Sequence, residues 1–332
     1  MERIRLGGTG LKVSPLAFGT MTLGNPVAED TSLELLDFVV DQGINFIDTA
    51  NGYNAGLSEE IIGKWMKARG NRERIVLATK VRYAVGGDPD TAGSTPKVIM
   101  REVENSLRRL NTDYIDIYYL HQPDDDTPIE ITWRALESLV SSGKVRYIGV
   151  SNFAAWQVVE AVNLARNRGW TPPTVTQALH NAISRAVETE LLPMTRSYDI
   201  GTCMYNPLAG GLLTGKYKAG KEADSDTRFA ANEMYRKRYW NDPQRAAADQ
   251  FSRIAAQSSR TSAELALRYM LDHPDVDVTL FGATRREQVE QNLAAFTSSP
   301  LSAEELKLCD AIWVELHGPV PQYNRTNTRP QG

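Results

Sequence analysis

The stretch NFIDTANGYNAGLSEEIIGKWMKARGNRERIVLATK, residues 45–80, decides the predicted fold of this chain. It begins with a short apolar run at 45–48 and ends with a second one at 75–79, each of the length of a buried strand. Between them, Ser58 is a favourable N-cap for a helix over 58–68 with apolar residues at helical spacing. Strand, helix and strand in this order predict a parallel βαβ unit.

The alternation of short apolar runs and helical patterns continues along the chain. We predict strands at residues 16–19, 45–48, 75–79, 114–120, 147–150, 174–178, 201–205 and 278–281. We predict helices at residues 31–42, 58–68, 96–110, 129–142, 154–168, 188–197, 245–271 and 286–295, and a last amphipathic helix at 302–313. Eight strands, each followed by a helix, favour an α/β chain that forms a single (β/α)8 TIM barrel over residues 1–332.

Irregular segments interrupt this pattern in four places. Gly7-Gly8-Thr9-Gly10 lies between two short extended runs, which predicts an N-terminal β-hairpin. The long helical pattern at 245–271 is expected to break near Arg260-Thr261. Residues 217–241 are charged and aromatic with no clean period, and the polar residues 318–332 predict a C-terminal tail.

A doubly wound sheet would show a similar alternation, and two observations disfavour it. The sequence contains no G-x-G-x-x-G, which is the usual dinucleotide-binding fingerprint of that fold. In addition, the residues able to do chemistry follow several different predicted strands at their carboxyl ends. A barrel enzyme keeps its active site at that end, so the barrel is the better prediction.

Composition excludes several classes of protein. The 332 residues carry a net charge of −4 from 37 basic and 41 acidic residues, so we expect neither nucleic acid nor a membrane as a partner. No window approaches the roughly 18 consecutive apolar residues of a membrane span. The two cysteines, Cys203 and Cys309, indicate a reducing compartment, and residues 1–5 lack the apolar run of a signal peptide. We therefore expect a cytoplasmic enzyme, and no metal among its site residues.

Four chemically capable residues follow successive strands. Asp48 ends the second strand, Tyr53 follows it, Lys80 ends the third strand and His121 ends the fourth. A nearby ammonium favours tyrosinate, so a lysine can tune a tyrosine whose ordinary pKa is near 10. A carboxylate would hold that lysine charged, and a histidine can orient a carbonyl group. Each residue alone could be a cap or a solvated side chain, but four at one end of the barrel predict a proton-transfer site.

Several motifs carry a resemblance to a known family over residues 5–296. They are LAFGTM at 16–21, NFIDTANGY at 45–53, LATK at 77–80, YYLH at 118–121, YIGVSNF at 147–153, YNPL at 205–208 and GGLLTGKY at 210–217. This set resembles the aldo-keto reductases. The resemblance implies that Asp48, Tyr53, Lys80 and His121 form a catalytic tetrad. It further implies hydride transfer from a nicotinamide to an aldehyde or ketone, with Tyr53 protonating the developing alkoxide.

The resemblance also implies NADPH as the cofactor, bound in extended form across the barrel mouth. The positions that match the family's cofactor contacts are Gly19, Thr20, Met21, Asp48, Ser151, Asn152, Gln177, Tyr205, Asn206, Leu208, Gly210, Gly282, Thr284, Arg285, Gln288 and Asn292. Tyr205 matches the aromatic residue that stacks on the nicotinamide ring. Ser151, Asn152 and Gln177 match the residues that hold its carboxamide.

The adenosine end of the cofactor is expected after the eighth strand, where a helix begins. Backbone N–H groups at a helix N-terminus favour phosphate, and Arg285 or Arg286 could bind the 2′-phosphate. Three positions depart from the family pattern. Asn206 replaces a frequent serine, His180 replaces a frequent tyrosine, and Gly282 stands where some members have lysine.

The expected substrate is a small carbonyl compound held by loops at the same end of the barrel. The substrate-facing candidates are Met21, Tyr53, Tyr83, His121, Phe153 and Trp240. Their mostly apolar and aromatic character favours a hydrophobic compound. Residues 218–242 resemble the long segment that folds over the cofactor in many members. The sequence does not identify the compound or any oligomeric partner.

Two other functions fit parts of the sequence. The first is an NADPH-binding redox-sensing accessory subunit with little turnover, because channel-binding members of the family keep the same barrel. The second is a Schiff-base aldolase built on Lys80, which needs a neutral lysine. Asp48 as a neighbour of Lys80 would favour the charged form and so disfavours the aldolase.

Overall fold

Eight parallel strands close on themselves in the computed structural model, which describes residues 1–217 and 228–319. The barrel strands are β3 (Leu16–Gly19), β4 (Phe46–Asp48), β5 (Val76–Val81), β6 (Ile115–Leu120), β7 (Val145–Ser151), β8 (Val175–Leu179), β9 (Gly201–Tyr205) and β10 (Val278–Phe281). Each strand pairs with the next along the chain, and β10 pairs with both β9 and β3. This order confirms the predicted TIM barrel and excludes the doubly wound sheet.

The described residues contain twelve α-helices. They are α1 (Glu29–Asp41), α2 (Leu57–Arg69), α3 (Pro96–Leu110), α4 (Ile129–Ser141), α5 (Ala155–Arg168), α6 (Leu191–Tyr198), α7 (Arg228–Ala231), α8 (Glu233–Tyr239), α9 (Asp242–Gln257), α10 (Ser262–Leu271), α11 (Arg286–Thr297) and α12 (Ala303–His317). The long pattern at 245–271 breaks where expected, and the Thr261 side chain caps α10. None of these helices is long and apolar enough to cross a membrane.

The aperiodic segment at 217–241 differs from the sequence prediction. Residues 218–227, the first part of the expected covering segment, lie outside the described residues. Helices α7 and α8 lie in the rest of this segment. They were not predicted, because the sequence there shows no helical period. The side chain of Asn232 accepts a hydrogen bond from the Tyr235 backbone N–H at the start of α8, and Asn241 caps α9 in the same way. Of the expected tail, residues 320–332 also lie outside the described residues.

A short hairpin lies against the N-terminal end of the barrel. It pairs β1 (Ile4–Arg5) with β2 (Lys12–Val13) in antiparallel register, as the glycine-rich turn predicts. The Gly8 N–H donates to the carbonyl of Asp199 at 2.8 Å, and the Tyr147 hydroxyl donates to the Thr9 carbonyl at 2.8 Å. These contacts close the end of the barrel that lies opposite the carboxyl ends of the strands.

Side chains fill the inside of the barrel. The inner core is a cluster of small and aromatic residues contributed by the strands and the hairpin: Leu6, Val13, Ala17, Phe46, Ala78, Ile117, Tyr119, Val175, Cys203 and Val278. A side chain at Gly149 would overlap the Tyr119 ring, so this glycine leaves the space that the ring needs. A second core packs the helices onto the outside of the barrel. The barrel is therefore a rigid support for the loops at its open end.

Candidate active site

Strand register brings the four predicted catalytic residues to one end of the barrel. Asp48 pairs with Gly19 on one side and Ala78 on the other, and Lys80 pairs with Tyr119 one strand further on. His121 directly follows β6, and Tyr53 lies in a 3-10 turn after β4. Because these strands are parallel, their carboxyl ends meet and their terminal side chains converge.

A fully buried ion pair lies at the centre of this cluster. The Lys80 ammonium donates to the Asp48 carboxylate, with the Lys80 side chain 0% and the Asp48 side chain 1% exposed. Lys80 Nζ also donates to the Thr49 carbonyl oxygen at 2.7 Å. Burial lowers the pKa of Lys80, but the charges and hydrogen bonds of Asp48 and Tyr53 more than offset it and raise that pKa. The lysine is therefore charged at neutral pH, which argues against a Schiff-base role.

Tyr53 lies beside this ion pair. Its hydroxyl is 3.4 Å from Lys80 Nζ. Burial raises the pKa of Tyr53 to about 12, although the Lys80 charge acts in the opposite direction. From sequence we expected Lys80 to lower the pKa of Tyr53. The Lys80 charge does lower it, but burial of the Tyr53 hydroxyl raises it by more. The hydroxyl is consequently protonated at neutral pH and can act as an acid.

His121 is held as a neutral imidazole next to Tyr53. Burial lowers its pKa well below the usual value, and the Lys80 charge lowers it further. Its ring packs edge-to-face on Tyr53 and on Tyr83, with ring centroids 5.8 Å and 4.6 Å away. Its Nδ1 is buried without a partner among the described residues. A neutral imidazole can donate one hydrogen bond to a carbonyl oxygen.

Asp48 is oriented by residues that the sequence assigned to the cofactor. The Gln177 amide nitrogen donates to Asp48 Oδ2 at 2.8 Å. The Thr20 hydroxyl donates to the Asp48 backbone carbonyl at 2.9 Å. The two carboxylate oxygens of Asp48 thus have separate donors, one from Lys80 and one from Gln177. This contact of Gln177 was not anticipated, because sequence does not reveal which side chains meet across the inside of the barrel.

The predicted nicotinamide residues surround His121. The Tyr205 hydroxyl donates to Asn152 Oδ1 at 2.7 Å, and the Asn152 amide nitrogen donates to the His121 carbonyl at 2.9 Å. The same nitrogen lies 3.1 Å from Ser151 Oγ. Asn152 has a positive φ of 61°, a conformation that asparagine tolerates better than most residues. The structure therefore brings Ser151, Asn152 and Tyr205 together with the catalytic cluster.

The loop after β9 is shaped by Asn206. With φ at 70°, its side-chain oxygen accepts from the Gly210 N–H at 2.7 Å, and its amide nitrogen donates to the Tyr239 hydroxyl at 2.8 Å. Asn181 donates to the same hydroxyl at 3.1 Å. The Asn206 side chain therefore ties α8 to the loop that also contains Leu208. Sequence reasoning missed Asn181 and Tyr239.

The first loop lies beside the loop after β10. The Asn54 amide nitrogen donates to the carbonyls of Met21 and Leu23 at 3.1 Å and 2.7 Å, which fixes the loop that starts at Gly19. A Cβ at Gly282 would lie 3.4 Å from the Gly19 carbonyl oxygen. The two segments thus meet at the barrel rim. This is where both must lie if both contact the cofactor, as predicted.

The two arginines at the start of α11 differ in their surroundings. Arg286 pairs with Glu290 at 2.9 Å and lies over the Phe38 ring. Arg285, the N-cap residue, is exposed and has no carboxylate within 4.0 Å in the part of the chain that the structure describes. Arg285 is therefore the arginine that is available to a phosphate.

The other predicted adenosine contacts line the same helix start. Gln288 Oε1 accepts from the Thr284 N–H at 2.8 Å, which shapes the turn into α11. Asn292 is buried on the inner side of the helix.

The expected substrate residues do not all face the cluster. Tyr83 packs on His121, Phe153 is buried, and Met21 packs at the edge of the core. Trp240 instead contacts the rings of Tyr217 and Phe229, at 5.4 Å and 5.0 Å between centroids. The Arg245 guanidinium carbon also lies 5.3 Å from the Trp240 ring centroid, and none of these ring contacts is with the catalytic tetrad.

Helix α8 covers the mouth of the site, and the sequence prediction missed it. Tyr235 is buried in α8, and a Cβ at Gly210 would lie 2.7 Å from its ring. Tyr235 is among the groups that raise the pKa of Tyr53, which indicates that the helix lies close to the predicted catalytic tyrosine. Asn232 is a residue type that favours a helix N-cap, and it was the sequence signal that could have predicted this helix.

A closed barrel with a charged lysine, a protonated tyrosine and a neutral histidine at its open end belongs to the class of TIM-barrel oxidoreductases. The Aldo/keto reductase family model matches residues 15–314. The chain belongs to the aldo/keto reductase family, and it is an NAD(P)H-dependent oxidoreductase.

Named relatives agree with this assignment. The chain is 37% identical to an uncharacterized oxidoreductase of Bacillus subtilis, YrpG, over 97% of this chain and 99% of that protein. It is 36% identical to aflatoxin B1 aldehyde reductase member 2 of Rattus norvegicus, over 92% of this chain and 86% of the relative. It is also 37% identical to a probable voltage-gated potassium channel subunit beta of Arabidopsis thaliana, over 91% and 93% of the two chains.

Proposed function

We propose that this protein reduces an aldehyde or ketone to the alcohol with NADPH, and that Tyr53 is the general acid. The observation that carries the proposal is the protonated Tyr53 hydroxyl, 3.4 Å from a charged Lys80 that is paired with Asp48. Reduction of a carbonyl requires a proton on oxygen, and a tyrosine with a pKa of about 12 holds that proton at neutral pH.

The residues present fit a nicotinamide dinucleotide. The Tyr205 ring, held by Asn152, offers an aromatic surface beside His121. Gly210 and Gly211 have φ values of 70° and 105°, which lets the backbone after β9 approach a pyrophosphate closely. Arg285 at the start of α11 has an exposed guanidinium without a carboxylate partner among the described residues, which supports binding of a 2′-phosphate and hence NADPH over NADH. When bound, the reduced nicotinamide supplies a hydride to the carbonyl carbon and is oxidised as the carbonyl is reduced.

The chain's own residues complete the reaction. His121 donates a hydrogen bond to the substrate oxygen and orients it. As negative charge develops on that oxygen, Tyr53 transfers its hydroxyl proton to it. Lys80 then stabilises the tyrosinate that remains, and Asp48, oriented by Gln177, keeps Lys80 charged. Preorganised charges in a buried site are worth more than the same charges in water.

The test is NADPH oxidation by the purified protein with a panel of aromatic and aliphatic aldehydes, and with NADH in parallel. Turnover with NADPH supports the proposal. Quenching of protein fluorescence by NADPH without any turnover would contradict it, and would favour the redox-sensing accessory subunit instead. That second function finds its support in the relative described as a potassium channel subunit beta.

A further inference from the structure

The turn that carries Tyr53 is bound to two different parts of the molecule. The residues before Tyr53 contact the barrel and its outer helices. The Asn51 N–H donates to the Lys80 carbonyl at 3.1 Å, and the Asn51 amide nitrogen donates to Glu102 Oε2 at 3.2 Å. Asn51 and Glu102 are both completely buried. The backbone that enters the turn is therefore fixed by β5 and α3.

The residue after Tyr53 contacts the first loop instead, which comprises residues 19–25. The Asn54 amide nitrogen lies within hydrogen-bond distance of three backbone carbonyls of this loop, at 3.1, 2.7 and 3.1 Å from those of Met21, Leu23 and Asn25. Residues 19–21 are among the predicted cofactor contacts. One side chain next to Tyr53 thus fixes the backbone of a loop that is expected to touch the nucleotide.

The backbone after Tyr53 has an unusual conformation. Asn54, Ala55 and Gly56 have φ values of 49°, 58° and 95°, so three successive residues lie in the left-handed region. Asparagine and glycine tolerate that region, whereas alanine rarely adopts it. Strain of this kind persists where surrounding contacts over-determine the backbone, and it is concentrated at functional sites. The hydrogen bonds of Asn54 are such contacts.

A buried network of hydroxyl groups joins the same two segments at the start of the first loop. Ser58 Oγ, in the first turn of α2, lies 2.9 Å from both the carbonyl oxygen and the Oγ1 of Thr20, and 3.0 Å from Thr49 Oγ1. All three residues are completely buried. This network fixes the start of the loop, while the hydrogen bonds of Asn54 reach its tip at residues 21–25.

Tyr53 therefore lies between two supports of different kinds. The support through Asn51 belongs to the barrel, whereas the support through Asn54 belongs to a loop that the nucleotide is expected to contact. A ligand that orders this loop also orders the turn bonded to it, and the reverse holds because coupling between two sites is reciprocal. Proton transfer needs an acid within hydrogen-bond reach of the substrate oxygen, and a displacement of about 1 Å can lower the rate by about 10²-fold.

We propose that Asn54 is a positioning residue that couples the first loop to the turn carrying Tyr53, so that a bound nicotinamide dinucleotide and the acid hold each other in place. In this role Asn54 acts through the backbones of the loop and the turn. The inference rests on the proposed carbonyl reduction with Tyr53 as the general acid.

The test separates the hydrogen bonds of Asn54 from its backbone conformation. Asn54→Gly keeps the left-handed backbone and removes the amide, while Asn54→Asp keeps the side-chain shape and replaces the donor by an acceptor. With saturating NADPH and an aldehyde that the parent protein reduces, we expect both variants to lose at least about tenfold in kcat. The Kd for NADPH should rise by about three- to tenfold, as the loss of one or two hydrogen bonds supplies.

Hydrogen exchange tests the coupling without turnover. In the parent protein, NADPH should slow backbone amide exchange by about tenfold or more at residues 19–25 and also at residues 50–58. In both Asn54 variants, saturating NADPH should still slow exchange at 19–25 but largely fail to do so at 50–58. Asn111→Gly is the matched control. It changes another asparagine with a positive φ, 50°, at the end of α3, and should keep the parent's kcat, Kd and protection.

A kcat at saturating NADPH within about twofold of the parent value in both Asn54 variants would overturn the proposal. NADPH-dependent protection of residues 50–58 that survives in both variants would also overturn it, as would equal losses in Asn111→Gly. Absence of turnover by the parent protein with every aldehyde would contradict the proposed reduction. Loss of the protection at 50–58 in the two variants would then still support the coupling through Asn54.

Discussion

Lys80 Nζ lies 3.4 Å from the Tyr53 hydroxyl oxygen, and the same ammonium is bound by the buried carboxylate of Asp48. The lysine therefore connects the proposed acid to a carboxylate whose side chain is only 1% exposed. In the proposed reaction, this arrangement separates the residue that transfers a proton from the residue that keeps the lysine charged.

Replacing Tyr53 by phenylalanine should abolish carbonyl reduction and preserve the site. The variant lacks the hydroxyl that contacts Lys80, so we expect kcat to fall by about 10²–10⁴-fold. The Kd for NADPH, measured by fluorescence quenching, should change less than about twofold. Full activity in Tyr53→Phe would remove this residue from the role of acid.

Breaking the buried ion pair should cost stability as well as activity. Lys80→Met leaves the Asp48 carboxylate buried without its cation, and such losses amount to about 3–5 kcal/mol. We expect urea unfolding to show a decrease of this size in the free energy of unfolding. The double variant Lys80→Met/Asp48→Asn should recover most of that free energy, because no charge is left unpaired, and should remain inactive. A double variant no more stable than Lys80→Met would contradict this account.

Arg285 and Arg286 offer a matched pair for the cofactor. Arg285 has no carboxylate partner in the described residues, whereas Arg286 is bound to Glu290. We expect Arg285→Ala to raise the KM for NADPH by about tenfold or more and to leave the KM for NADH nearly unchanged, because only NADPH has the 2′-phosphate. Arg286→Ala is the control and should affect neither. Equal increases for both cofactors in Arg285→Ala would remove this residue from the phosphate site.

Stability should fall as the pH drops below about 6.5, the ordinary pKa of histidine. Burial lowers the pKa of His180, and its Nδ1 has no partner among the described residues. Burial also lowers the pKa of His121. Because both folded-state pKa values lie below the unfolded one, the unfolded chain binds more protons in this range. The stabilisation is therefore complete above about pH 6.5 and is lost progressively below it.

Comparing variants shows which histidine causes this pH dependence of stability. The Tm of His180→Asn should change less between pH 7.5 and 5.5 than that of the parent protein. His317→Asn alters an exposed histidine and should keep the parent's dependence. A parent Tm that is constant across this range would refute the prediction.

His180, Glu188 and His273 have the residue types of a metal site, but their hydrogen bonds indicate another role. Glu188 Oε1 accepts from His180 at 2.8 Å, Tyr269 at 2.9 Å and Arg185 at 2.9 Å. A cation would have to displace the guanidinium that already neutralises this carboxylate. We expect neither EDTA nor added zinc to change the Tm. An increase on addition of zinc would show that the cluster binds metal.

The sequence predicted the barrel and the four residues at its open end because both depend on local patterns. Apolar runs of strand length mark β4, β5 and β6, and parallel pairing necessarily brings Asp48, Lys80 and His121 together. The direction of the Tyr53 pKa could not be predicted in the same way. It depends on how much water the packed loops exclude, and no neighbouring residue in the sequence reports that.

Other parts of the site could not be predicted because they depend on contacts across the fold. Gln177 was assigned to the cofactor, yet its amide binds Asp48, which belongs to a strand on the other side of the barrel. Helix α8 has too few turns to show an apolar period, so Tyr239 was not recognised.

The hairpin under the barrel determines how molecules reach this site. Among the described residues, Phe46 and Tyr119 fill the interior of the barrel and the hairpin lies across its far end. The described catalytic cluster lies at the opposite end, where Tyr239 joins α8 to the loop after β9. In the proposed reaction, the cofactor and the carbonyl compound must therefore share this end of the barrel.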